Sequence, residues 1–153
     1  MLFGEELTTK AEVVAMVSNM LLRELINRCR KEEGVVDYFD IAAIGYSGDD
    51  AKMMIGSNGS FQKPSVLSTA DCRKRLFTRE RILPNGSSVI TSDEIKYWME
   101  PAAEGNTPMR VALEQALLLT AVWCRKNANR DSYPPTIFNI TDGEATDGDR
   151  EAL

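Results

Sequence analysis

Histidine is absent from the 153-residue chain. Its absence removes every Ser-His-Asp and Cys-His nucleophile arrangement. It also removes the side chain that most often moves protons near neutral pH. Cysteine is scarce: Cys29, Cys72 and Cys124 are widely spaced and form no CxxC pair. An odd, scattered set suits reduced thiols in a cytoplasmic protein and gives zinc no usable ligand spacing. No apolar run approaches the ~20 residues of a membrane helix. No basic stretch followed by an apolar one opens the chain, so neither a span nor a signal peptide is expected. Positive charge is short as well, with 18 basic against 23 acidic residues and a net charge of −5. Nucleic-acid surfaces need clustered cations. The densest group is Arg73-Lys74-Arg75 with Arg79 and Arg81, which Asp71 and Glu80 dilute into a solvated helix face. No nucleic-acid partner and no membrane are expected.

What remains is an ordinary globular balance, 43% hydrophobic and 27% charged, in a length that fits one domain. Thr8 to about Lys31 reads as a long helix. Thr8 or Thr9 caps it, and Glu12 stands three residues after Thr9, as a capping box requires. Val13, Val14, Met16, Val17, Met20, Leu21, Leu25 and Ile26 recur at helical spacing. Arg28, Arg30 and Lys31 suit the C-terminal end of the helix dipole, and Gly34 stops the helix.

Tyr38 to Tyr46 is predicted to be a strand, nearly continuous in apolar residues, as in a strand covered on both faces. Ser47-Gly48-Asp49-Asp50 is a turn, and Ala51 to Ile55 a short strand paired back on the first. From Phe61 to Ser92 the pattern is irregular, with one short helix expected near Ser68–Phe77 and an extended stretch over Glu94–Met99. Thr107 to about Ala128 reads as a second long helix, apolar almost all round and therefore buried, with Pro108 at an early helical position. Thr136 to Thr141 is predicted to be a second core strand. The polar loop from Asp142 to Asp149 follows it, then the first turn of a helix. Helices alternating with core strands imply an α/β layered fold.

Ligands of open α/β sheets bind beyond the C-terminal ends of strands. Asp142 follows such a strand, and Gly105-Asn106-Thr107 sets a hydroxyl at a helix N-terminus. A carboxylate with a hydroxyl suits a hard cation. Each has a plainer reading: Thr107 as an N-cap and Asp142-Gly143 as a turn. Other patterns carry less. Gly45-Tyr46-Ser47-Gly48-Asp49 lacks the second glycine of a nucleophile elbow and any histidine. The Asp142–Asp149 loop lacks the ligand spacing of an EF-hand. Gly56-Ser57-Asn58-Gly59-Ser60 lacks the lysine of a phosphate loop.

Gly105-Asn106-Thr107-Pro108-Met109 before an apolar helix, then Thr136-Ile137-Phe138-Asn139-Ile140-Thr141-Asp142-Gly143-Glu144, resembles a von Willebrand factor type A domain. Asp40-Ile41-Ala42-Ala43-Ile44-Gly45-Tyr46 and the helix before it are similar to the bacterial cytoplasmic members. The resemblance implies a three-layer, Rossmann-like α/β fold around a mainly parallel central sheet. It implies a non-catalytic protein-interaction module with a metal-ion-dependent adhesion site for Mg²⁺ or Mn²⁺. Thr107 and Asp142 are then the metal ligands, and an acidic residue of a protein partner completes the shell.

The family's Asp-x-Ser-x-Ser run is not in the sequence. Set against the family, the whole chain, 1–153, is expected to be a single partial domain without its first and last strands. Its metal site is expected to be weak, and its open strand edges prone to association. Two alternatives stand beside this reading. One is a metal-free scaffold. The other is an α/β enzyme binding a nucleotide or phosphate, which needs a glycine-rich phosphate loop that the sequence does not show.

Overall fold

The computed structural model describes residues 2–3, 9–57, 59–102, 105–141 and 146–147. Along the chain these form β1 (Leu2–Phe3), α1 (Lys10–Arg28), β2 (Arg30–Lys31), β3 (Gly34–Val35), β4 (Ala43–Ser47), β5 (Asp50–Ile55), α2 (Pro64–Thr69), β6 (Lys74–Ile82), β7 (Ser88–Lys96) and α3 (Met109–Lys126). They divide into two compact units. The first comprises Met1–Val36 and Pro64–Pro101, the second Asp37–Lys63 and Ala102–Leu153.

In the first unit, α1 begins as its sequence dictates. The Glu12 N–H donates to Thr9 Oγ1 at 3.2 Å, and the Thr9 N–H donates to Glu12 Oε2 at 3.0 Å. This capping box satisfies donors that a helix start leaves orphaned. The inward face of α1 buries Ala15, Met16, Asn19, Leu22 and Ile26. Ala15 and Met16 pack with Phe77, Ile95 and Tyr97 as the core, and Met20 lies against it. The rings of Phe77 and Tyr97 stack with centroids 6.4 Å apart, and Arg75 lies over both.

Asn19 has no solvent exposure. Its Nδ2 donates to the carbonyls of Ala15 and Met99, each at 2.8 Å. Its Oδ1 accepts from the N–H groups of Trp98 and Met99. A buried amide with both ends satisfied fixes one register of α1 on the chain after β7. In the same unit β6 and β7 form a long antiparallel hairpin, from Lys74 opposite Lys96 to Ile82 opposite Ser88, and β1 adds to the outer edge of β6.

In the second unit, β4 and β5 form a hairpin, as expected of the Tyr38–Tyr46 and Ala51–Ile55 segments, with Ser47 opposite Asp50 and Gly48 at φ +66° in the turn. Gly56 ends β5 at φ +91°, where an added Cβ would stand 2.6 Å from the Ser60 carbonyl oxygen. Only glycine suits both the angle and the space. α3 packs on this hairpin; Ala112 and Leu119 of the helix are buried, and Gln115 donates to the Ala51 carbonyl.

The parallel, Rossmann-like sheet is not formed. Every strand pairing among the described residues is antiparallel, in one three-stranded and two two-stranded sheets. The three-layer α/β expectation is corrected accordingly. The physical reason lies in two segments. Thr136–Thr141 carries no ladder and is exposed throughout, so it is not the second core strand. Residues 74–96 pair locally around a tight turn instead of supplying a helix near Ser68–Phe77. The short helix sits earlier, at Pro64–Thr69. The extended run over Glu94–Met99 is present only as far as Lys96. α3 is not buried all round: Leu117 and Leu118 are 60% and 69% exposed. The 38–46 strand is shorter than expected and begins at Ala43. The turn expected after Asp149 lies outside the described residues. No described helix is long and apolar enough to cross a membrane.

Candidate functional site

The loop Gly105-Asn106-Thr107 leads into α3 with Gly105 at φ +50°. Its polar groups hold the second unit together at one end. Asn106 Nδ2 donates to Asp49 Oδ1 in the β4–β5 turn at 2.8 Å. The Thr107 N–H donates to Thr146 Oγ1 at 2.9 Å, and the Thr146 N–H donates back to the Thr107 carbonyl at 3.0 Å. Tyr46 at the end of β4 donates its hydroxyl proton to Asn139 Oδ1 at 2.8 Å.

Thr107 is not the N-cap of α3. Pro108 occupies that position and makes no side-chain cap bond. The carboxylate of Asp147 caps the helix from outside it: the Arg110 N–H donates to Oδ1 at 3.0 Å and the Val111 N–H to Oδ2 at 2.9 Å. A carboxylate at a helix N-terminus gains from both the orphan donors and the dipole. Desolvation pushes the Asp147 carboxyl upward, but the N–H groups of Arg110 and Val111 outweigh it and hold the carboxyl below its ordinary value. Sequence reading had treated residues 142–149 as one acidic loop. Nothing in its spacing showed that Asp147 serves a helix begun 38 residues earlier.

The Thr107 hydroxyl has no hydrogen-bond partner among the described residues, so it is an oxygen available to a ligand. Asp142 lies outside the described residues, and the structure does not place the proposed pair together or apart. Among the described residues there is no group of three or more carboxylate or thiol side chains arranged to hold a metal ion. Ser47 of the rejected nucleophile elbow lies within β4. All three cysteines are free thiols: Cys29 is buried, Cys72 half-buried and Cys124 exposed. No family model matches the chain, and no curated protein or solved structure matches it either.

A second polar arrangement lies at the other end of α3, and sequence reading missed it. Asp40 accepts from Trp123 Nε1 at 2.7 Å and forms an ion pair with Lys63. Burial works to raise the Asp40 carboxyl. The hydrogen bonds from Lys63 and Trp123 and the charges of Lys63 and Arg130 outweigh it and hold the carboxyl below its ordinary value. Beside this pair is a hollow of about 280 Å³, lined by Asp40, Gly59–Phe61, Trp123 and Lys126 at the end of α3, and Asn127 and Arg130 just past it. In the sequence Asp40 only precedes an apolar run. Its signal was non-local: an acid before β4 and a tryptophan 83 residues later.

Proposed function

We propose that this chain is a non-catalytic protein-interaction module of the cytoplasm, meeting its partner on the outward face of α3. One observation carries the reading. The exposed positions 110, 111, 114, 117, 118, 121, 124 and 125 recur at helical spacing and form a continuous stripe. Val111, Leu117, Leu118, Ala121 and Cys124 are its apolar positions, and Glu114 stands among them, paired with Arg110. A large apolar patch rimmed by charge marks an interaction surface more often than an ordinary surface. Arg110 at one end is paired with Glu114, and Arg125 stands at the other, which suits an amphipathic helix carrying an acidic residue at one margin. The free thiols fit a reducing compartment.

The test is selection of displayed amphipathic peptides against the chain, with a Leu117→Lys, Leu118→Lys double variant as control. Apolar sequences with an acidic flank, competed off by free chain and lost on the double variant, support the reading. Equal enrichment on the variant refutes it.

A metal-dependent form of this module retains Thr107 and Asp142 as ligands of Mg²⁺ or Mn²⁺, with an acidic group of the partner beside them. The Thr107 hydroxyl, without a partner among the described residues, favours it. A hard cation prefers six or more oxygens, so affinity in the isolated chain is expected to be weak. Calorimetric titration with Mn²⁺ decides: heat lost in both Thr107→Val and Asp142→Ala supports the site, and the same heat in all three proteins removes it.

A further inference from the structure

We propose that the hollow beside Trp123 binds a small organic anion carrying a planar ring, of the size and chemistry of phenyl phosphate. This goes beyond the protein-interaction reading and does not rest on it.

The first argument is charge. The chain as a whole is acidic, at −5. The lining of this hollow, however, carries Lys126 and Arg130 against one carboxylate, Asp40, which Lys63 already pairs. That carboxylate is already engaged: Asp40 Oδ1 takes Lys63 and Oδ2 takes the Trp123 N–H. It is therefore a poor competitor for the remaining cations. Lys126 spends one of its three N–H donors on the Gly59 carbonyl, at 3.2 Å. The Arg130 guanidinium has no hydrogen-bond partner among the described residues. A cationic recess in an acidic molecule concentrates anions locally. Arg130 offers the planar donor fork that matches phosphate or carboxylate oxygens.

The second argument is shape. Trp123 and Phe61 both line the hollow, so a planar ring has aromatic surface to rest on. The indole is fixed in place by its bond to Asp40. The backbone below it is also tied, since Asn127 Nδ2 donates to the Trp123 carbonyl at 2.9 Å. Preorganised walls lose little freedom on binding. The volume is at the lower end for small-molecule sites. It therefore suits one ring with one anionic group.

The experiment uses the full chain with Trp98→Phe, so that fluorescence reports Trp123 alone. Phenyl phosphate, inorganic phosphate and phenol are titrated at low salt. Phenyl phosphate is expected to quench Trp123 saturably, and to bind at least tenfold more tightly than either fragment. Arg130→Ala and Lys126→Ala are each expected to weaken it by roughly tenfold, about the worth of one charge-assisted hydrogen bond. Both side chains are exposed, and unchanged far-ultraviolet dichroism checks that the variants fold. Absence of saturable quenching overturns the proposal. So does equal binding of phenol, or phenyl phosphate binding that survives both substitutions.

Discussion

Single polar side chains settle much of the local geometry in this molecule, and two of them are open to direct test. Asn19 is enclosed on α1 and makes four hydrogen bonds, two of them to Met99. Asn19→Ala leaves the Trp98 and Met99 N–H groups and the Met99 carbonyl without these partners. Each orphaned buried group costs roughly 1–3 kcal/mol. The variant is expected to unfold in urea at a clearly lower midpoint, and a shift under about 0.5 kcal/mol, the range of neutral surface changes, counts against the clamp. Asp40 gives a pH dependence. Its folded carboxyl lies below the ordinary value of 3.8, so the unfolded chain binds the proton more readily. Its stabilising contribution is present in full above that value and lost as pH falls through the lower, folded one. Trp123 fluorescence followed through acid should show the second unit loosening below about pH 4. In Asp40→Asn that acid-dependent step is expected to disappear. A step that persists in the variant assigns it to another carboxylate.

Secondary elements with local signals were legible in the sequence. The start of α1 is written in Thr9 and Glu12, three residues apart, and that capping box is formed as read; the end was misplaced, since Cys29 caps the helix and Arg30–Lys31 pair with Gly34–Val35. The β4–β5 hairpin is legible because Ser47-Gly48-Asp49-Asp50 separates two short apolar runs. The β6–β7 hairpin was missed although Asn85-Gly86 lies between its strands, with Gly86 at φ +81°. An Asn-Gly pair is a strong hairpin signal, but six charged or hydroxylated residues among the nine of each strand hid the alternation. The opposite error fell on Thr136–Thr141, whose β-branched and aromatic residues read as a core strand. Strand propensity reflects packing against neighbours, and this segment has no ladder. The cap of α3 was illegible for a related reason, since Asp147 reaches it from far along the chain. Asp147→Ala should therefore speed amide exchange at Arg110 and Val111 while leaving α1 unchanged. Asp147→Asn keeps one acceptor oxygen and is expected to fall between. Equal exchange in all three proteins means that water serves those N–H groups as well as the carboxylate does.

Across the whole molecule, apolar surface is divided unevenly between inside and outside. Ile95 and Leu22 are sealed, yet Leu76, Ile82, Ile90, Leu117, Leu118 and Phe138 are each at least 60% exposed. Single exposed apolar residues are ordinary, but Leu117 and Leu118 belong to a continuous stripe. Association that covers such a stripe removes apolar area from water at roughly 25 cal/mol per Å². It also has to offset the loss of translational freedom, so it grows with concentration. The net charge of −5 opposes it, and salt screens that repulsion. The chain is thus expected to associate reversibly in sedimentation velocity, more at high protein concentration and more at high salt. Leu118→Lys adds a cation at the centre of the stripe and should shift the molecule toward monomer. Its effect on stability should be small, within about 0.5 kcal/mol, because position 118 buries little on folding. If the same shift follows Ile90→Lys and not Leu118→Lys, the β6–β7 hairpin is the associating surface, and the interaction reading moves from α3 to that hairpin.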